Sequence, residues 1–97
     1  LRLDPRVTPE RWIAAGCGLP TALHAVDLAQ IRLGDRVLVQ GAGPVGLAAC
    51  ALAAASGAAW VGVVDGVEAR RAAALRMGAD QTFALGADTL DDVRRAT

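Results

Sequence analysis

Net charge is absent from this sequence. Ten Lys or Arg residues are matched by ten Asp or Glu, so the formal charge at pH 7 is zero. A chain without a basic surplus carries no electrostatic footprint for nucleic acid or for an anionic membrane surface. Aromatic residues are scarce, at 3%, and although 54% of the chain is hydrophobic, much of that is alanine. The longest apolar stretch, Val45 to Ala55, falls well short of the ~20 residues that a bilayer-spanning helix needs. No signal peptide is recognisable. The two cysteines, Cys17 and Cys50, sit in unlike contexts. They do not amount to a disulfide framework, and a reducing cytoplasm is the expected setting. No low-complexity tract or internal repeat stands out.

What is present centres on residues 36–65. Val37 to Val39 is an apolar run long enough for a buried strand and too short for a helix. It leads directly into Gly41-Ala42-Gly43-Pro44-Val45-Gly46, a G-x-G-x-x-G. Pro44 suits the first turn of a helix, where its missing N–H costs nothing. The Ala- and Leu-rich stretch that follows stops at Gly57, and a second apolar run, Trp60 to Val64, ends on Asp65. A lone G-x-G-x-x-G is weak evidence, and its glycines could serve only their own turn. Between a strand and a helix, with a carboxylate about twenty residues on, it has the context of a dinucleotide-binding fingerprint. Gly41 then permits the tight turn, Gly43 lets the backbone approach a pyrophosphate, and Gly46 lets the helix pack on the strand. The helix N-terminus offers N–H groups to the phosphates. Asp65 can accept hydrogen bonds from ribose hydroxyls and would repel the 2′-phosphate of NADP, so NAD is the expected ligand.

The fold class expected is α/β, the first half of a Rossmann-type doubly wound parallel sheet with about three strands, preceded by two helices. Leu1 to Arg6 reads as an extended lead-in, since Asp4 precedes Pro5. Thr8 and Pro9 read as the N-cap and first turn of a short helix to about Ala15, broken by Gly16-Cys17-Gly18. A second helix is expected from about Pro20 to Arg32, with Leu19, Ala22, Leu23, Val26 and Ala29 on one apolar stripe. The helix Pro44 to Ser56 is apolar almost all round and should be buried on more than one side. A further helix spans about Val67 to Met77, with Ala73, Ala74 and Met77 facing the sheet. Gln81 to Leu85 reads as the third strand, and Asp88 as the N-cap of a terminal helix.

The glycines flanking Cys17 leave its side chain uncrowded at a break between helices, a position suited to a thiolate that must reach a metal or a reactive centre. The bland alternative is a small buried hydrophobe, the commoner fate of a free cysteine. His24 lies two helical turns on, ~10 Å away, too far for one zinc ion to bridge with bonds of ~2 Å. Cys50, mid-helix among alanines, reads as core packing. This chain cannot complete a zinc site by itself.

Together, G-C-G-L-P-T-A-L-H-A, then G-D-R-V-L-V-Q-G-A-G-P-V-G-L, then V-V-D-G and R-M-G-A-D resemble the medium-chain dehydrogenase/reductase family, in its zinc-dependent alcohol dehydrogenase branch. The likeness covers roughly residues 8 to 86. It implies a parent pairing a GroES-like catalytic domain with a six-stranded Rossmann domain. Residues 1–33 would be the lead-in and hinge helices, and residues 34–97 the first half of the NAD-binding domain. By the same resemblance, Cys17 falls where one protein ligand of the catalytic zinc stands. Thr21 and Val45 fall where the nicotinamide is contacted, and Pro44 lies in the pyrophosphate turn with Gly41, Gly43 and Gly46. Asp65 takes the adenosine ribose, with Arg70 assisting. The implied reaction is hydride transfer between a small alcohol or carbonyl substrate and NAD, in a homo-oligomeric parent. The family's other zinc ligands, its proton relay and its later strands have no counterpart in these residues. The chain begins with Leu1 and shows three strand candidates where the fold uses about six. It therefore reads as a piece of a longer protein, inactive alone, with the first strand left as an unpaired apolar edge. Rivals are a zinc-free quinone oxidoreductase-like reductase, a non-enzymatic NAD-sensing domain and, more weakly, a methyltransferase.

Overall fold

The structure is a computed structural model and describes residues 2 and 4–97. In chain order it contains α1 (Pro9–Ala15), α2 (Gly18–Ala29), β1 (Arg36–Gln40), α3 (Pro44–Ala55), β2 (Trp60–Val64), α4 (Glu68–Arg76), β3 (Gln81–Phe83) and α5 (Thr89–Ala96). The three strands form one parallel sheet in the order β1-β2-β3. Leu38 stands opposite Gly62, and Val63 opposite Thr82. Parallel neighbours require crossovers, and α3 and α4 supply them. This is the expected half of a doubly wound sheet.

Strand alternation sorts the side chains. Val37, Val39, Val61 and Val63 join Cys50 and Ala53 of α3 and Ala74 of α4 in the core. The small residues on the helices let them lie close to the branched side chains of the sheet. Val61 and Val63 are almost fully buried, each contributing about 1.5–3 kcal/mol relative to exposure. On the opposite face, Trp60 covers Gly62, where an added methyl group would collide with the indole at 2.1 Å. The Arg36 guanidinium stacks 5.4 Å from the centre of the Trp60 ring and donates to the carbonyl of Ala96 at 2.8 Å. This bond ties α5 to the first strand.

Helix α3 packs on β1 and β2 and also against α2 and α4, which explains why it lacks a polar face. Among the described residues β1 is paired on one side only, as expected, and Leu38 is half exposed beside that open edge.

Several expectations need correction. Leu1 and Leu3 lie outside the described residues. The rest of the lead-in is not extended: Val7 N–H donates to the Asp4 carbonyl, and the Asp4 carboxylate accepts from the Arg6 main chain and side chain. Gly16 and Cys17 separate the first two helices, since Gly18 already belongs to α2. The latter ends at Ala29, because Gln30 adopts a left-handed conformation and the Asp35 carboxylate takes the Arg32 N–H. Of its apolar stripe only Ala22 is buried, while Leu19, Leu23 and Ala29 are exposed. Met77 closes α4 but stays exposed. β3 stops at Phe83, where the Thr89 hydroxyl draws Ala84 and Gly86 into a turn. Asp88 occupies the N-cap position of α5 without a side-chain capping bond. Thr8 caps α1 as expected, accepting from Arg11 N–H at 3.3 Å.

Candidate cofactor site

The ends of β1 and β2 meet at the glycine turn. Gly41 has φ 95°, the left-handed region where a side chain is strained, and its N–H donates to the Val64 carbonyl at 2.7 Å. Gly43 and Pro44 then start α3, with Gly43 at the N-cap and its carbonyl accepting from Leu47. Gly46 faces back onto the turn. A methyl there would lie 1.9 Å from the Gly41 carbonyl oxygen, so the turn and the helix can approach this closely only with glycine at position 46.

Gly43 is different. Its φ of −75° and ψ of −174° suit any residue, and a methyl group at this position would meet no atom within 4 Å. Neither backbone strain nor packing among the described residues accounts for a glycine here. It leaves a bare surface beside the first-turn N–H groups of α3, which have no carbonyl one turn back within the helix. A pyrophosphate fits a surface of this kind.

Asp65, at the end of β2, closes the site. One carboxylate oxygen accepts from Ala42 N–H at 2.8 Å and the other from Val67 N–H at 2.7 Å. These two bonds hold its pKa below the ordinary carboxylate range; desolvation opposes them, and the charges of Arg70 and Arg71 add to the lowering. Each oxygen keeps lone-pair capacity for a further donor such as a hydroxyl.

Arg70 acts on Asp65 through its charge alone. The neighbouring Arg71, which the sequence pattern did not single out, makes the direct contact: its guanidinium donates to the Asp65 main-chain carbonyl at 2.8 Å. The sequence held no signal to choose between them, because adjacent helix residues point ~100° apart. The Ala42 and Val67 N–H groups were invisible for the same kind of reason, being main-chain donors placed by tertiary structure.

Cys17 is exposed and immediately precedes α2. Thr21 donates from its hydroxyl to the Cys17 carbonyl at 2.7 Å, so the two residues form one local unit. A methyl on Gly18 would stand 3.7 Å from Val45 Cγ2, which sets the Cys17 segment against the start of α3. Cys17 and Thr21 therefore belong to the segment that the approach of Gly18 to Val45 sets beside the start of α3, while Asp65 reaches the turn at Ala42. Among the described residues no group of three His, Cys, Asp or Glu side chains could hold a metal. Zinc takes three or four protein ligands, and Cys17 fits as one of them. Cys50 is fully buried, its sulfur 3.8 Å from the carbonyl oxygens of Ala74 and Met77, and burial and then Asp80 push its pKa up. It serves packing, as expected.

A parallel sheet entered through a glycine turn, with an acidic residue closing the turn from the next strand, defines half of a dinucleotide-type cofactor domain. The sequence signature of the zinc-binding dehydrogenases matches residues 44–97. The chain is 45% identical to 5-exo-hydroxycamphor dehydrogenase of Pseudomonas putida over 97% of its own length and 26% of the relative's. An alcohol dehydrogenase from Thermus sp. ATN1 superposes with a TM-score of 0.78 at 39% identity, covering 98% of this chain and 27% of that one. A crystal structure from Sinorhizobium meliloti 1021, described as a zinc-binding dehydrogenase bound to NADP, superposes at 0.68 with 34% identity, covering 69% and 20% of the two chains. The chain belongs to the zinc-binding dehydrogenase family, in the alcohol dehydrogenase branch of the medium-chain dehydrogenases/reductases. It spans about a quarter of the length of the curated relative it matches. No helix among the described residues is long and apolar enough to cross a membrane.

Proposed function

We propose that these residues form the hinge helices (1–33) and the first half of the NAD-binding domain (34–97) of a zinc-dependent, alcohol dehydrogenase-like oxidoreductase. The observation that carries the reading is the Asp65–Ala42 hydrogen bond, which joins the acidic end of β2 to the glycine turn. In this reading Gly41, Gly43 and Gly46 shape the surface that receives the pyrophosphate, and Pro44 sets the direction of the helix behind it. The Asp65 carboxylate accepts from the adenosine ribose hydroxyls. Its negative charge favours NAD over a cofactor bearing a 2′-phosphate, with Arg70 as a nearby cation. Thr21 and Val45 flank the nicotinamide end, and Thr21, whose proton is already committed to the Cys17 carbonyl, presents its oxygen as an acceptor. Cys17 contributes one zinc ligand, and the other ligands come from elsewhere in the protein.

When bound, zinc supplies Lewis acidity at the oxygen of an alcohol or carbonyl substrate, and NAD supplies the hydride acceptor. The 97 residues alone hold one metal ligand and part of a cofactor surface, so no turnover is expected from them in isolation. A homo-oligomer is the expected assembly of the whole protein.

The test is zinc content by mass spectrometry on the full-length protein, wild type beside Cys17→Ser, matched for folding. Loss of one zinc per subunit together with alcohol-dependent NAD reduction supports the reading. Unchanged zinc and activity would make Cys17 structural and leave only the cofactor half of the proposal.

A further inference from the structure

We infer that Arg71 is a positioning residue for cofactor binding: it locks the Asp65-Gly66-Val67 turn and so aims the Asp65 carboxylate. The inference rests on the reading of Asp65 as the ribose acceptor and goes beyond it.

Asp65 is the first residue beyond the end of β2. Its N–H is held by the Phe83 carbonyl at 3.1 Å, but its own carbonyl points out of the ladder and needs another donor. Arg71, partly buried on α4, supplies one at 2.8 Å. The same helix returns a second restraint, because the Arg70 and Arg71 N–H groups both donate to the Val67 carbonyl at 3.1 Å. Val67 N–H in turn donates to the Asp65 carboxylate. The turn is thus tied at the Asp65 carbonyl, the Asp65 carboxylate and the Val67 carbonyl. Only the first of these ties has a side-chain donor, and so only that one can be removed by substitution without touching the Asp65 carboxylate. Losing it frees the Asp65 peptide to rotate, and rotation moves the carboxylate away from Ala42 N–H and from the bound ribose. The guanidinium also places positive charge near the carboxylate, favouring its ionised form. Lysine keeps the charge and one donor, but not the rigid guanidinium that holds this contact.

A double-mutant cycle on the full-length protein tests this, with NAD affinity measured by calorimetry for wild type, Arg71→Met, Asp65→Ala and the double variant. Arg71→Met keeps the apolar stem and removes the donors. The expected result is an affinity loss of about tenfold for Arg71→Met, which disappears when Asp65 is already alanine, because the residue acts through that carboxylate. An equal loss in both backgrounds would overturn the proposal, since Arg71 would then be touching the cofactor or merely supporting the fold. No loss in either background would overturn it as well. If Asp65→Ala alone leaves NAD binding unchanged, the ribose reading fails first and takes the positioning role with it. Should Arg71→Met unfold, Arg71→Lys runs the same cycle: a smaller loss confined to the Asp65 background is expected, and an additive loss overturns the inference.

Discussion

The Asp65 carboxylate and the Ala42 main-chain N–H lie 2.8 Å apart although 23 positions separate them in the chain. The bond spans from the end of the second strand to the middle of the glycine turn. It gives one side chain two tasks, shaping the turn and presenting an acceptor beside it. Replacing Asp65 by alanine removes both. In the full-length protein NAD affinity is expected to fall by about tenfold to a hundredfold, the range for hydrogen bonds to a charged group. NADP affinity should fall less, so the preference between the two shrinks. Calorimetric titration with each cofactor measures the ratio, and an unchanged ratio would remove Asp65 from the ribose site.

The same carboxylate predicts a pH dependence. The Ala42 and Val67 N–H groups hold its folded pKa below the ordinary range, so folding favours the ionised form. That stabilisation is complete above the unfolded value of about 4 and is lost as pH falls through the lower, folded value. The melting-temperature gap between wild type and Asp65→Asn should stay constant from about pH 8 to 5 and close below about pH 4. A gap that closes near neutrality would mean that another group controls the turn.

Gly46 and Gly43 should separate stability from binding. Gly46→Ala drives a methyl to within 1.9 Å of the Gly41 carbonyl and is expected to cost at least about 2 kcal/mol in chemical denaturation. Gly43→Ala meets nothing within 4 Å and should keep stability within about 0.5 kcal/mol of wild type. Its methyl projects onto the surface proposed for the pyrophosphate, so NAD binding should weaken without a stability loss. Normal NAD affinity in Gly43→Ala would argue that the phosphates lie elsewhere.

The two cysteines should differ in reactivity. Cys17 is exposed, whereas Cys50 is fully buried with a raised pKa. Brief iodoacetamide treatment of the metal-stripped native protein, followed by peptide mapping, should label Cys17 and spare Cys50 until the fold is opened by denaturant. Early labelling of Cys50 would show that the contact between α3 and α4 opens readily.

Local sequence determined a good deal of this protein. The strand, glycine turn, helix and strand of residues 36–65 follow from short apolar runs, a proline that can only open a helix, and glycines spaced for a tight turn. Those are properties of neighbouring residues, so they need no partner to be legible. The position of Asp65 at the end of β2 could be read in the same way. Tertiary structure alone decided what Asp65 touches, because its partners are main-chain N–H groups that every non-proline residue carries and only the fold selects. It also decided that the side chain of Arg71 rather than that of Arg70 meets the turn, a matter of helix rotation against the sheet. The exposed stripe of α2, apolar at Leu19 and Leu23 yet uncovered within these residues, shows the converse. Periodicity marks a face for burial, but burial itself depends on what the rest of the fold brings against that face.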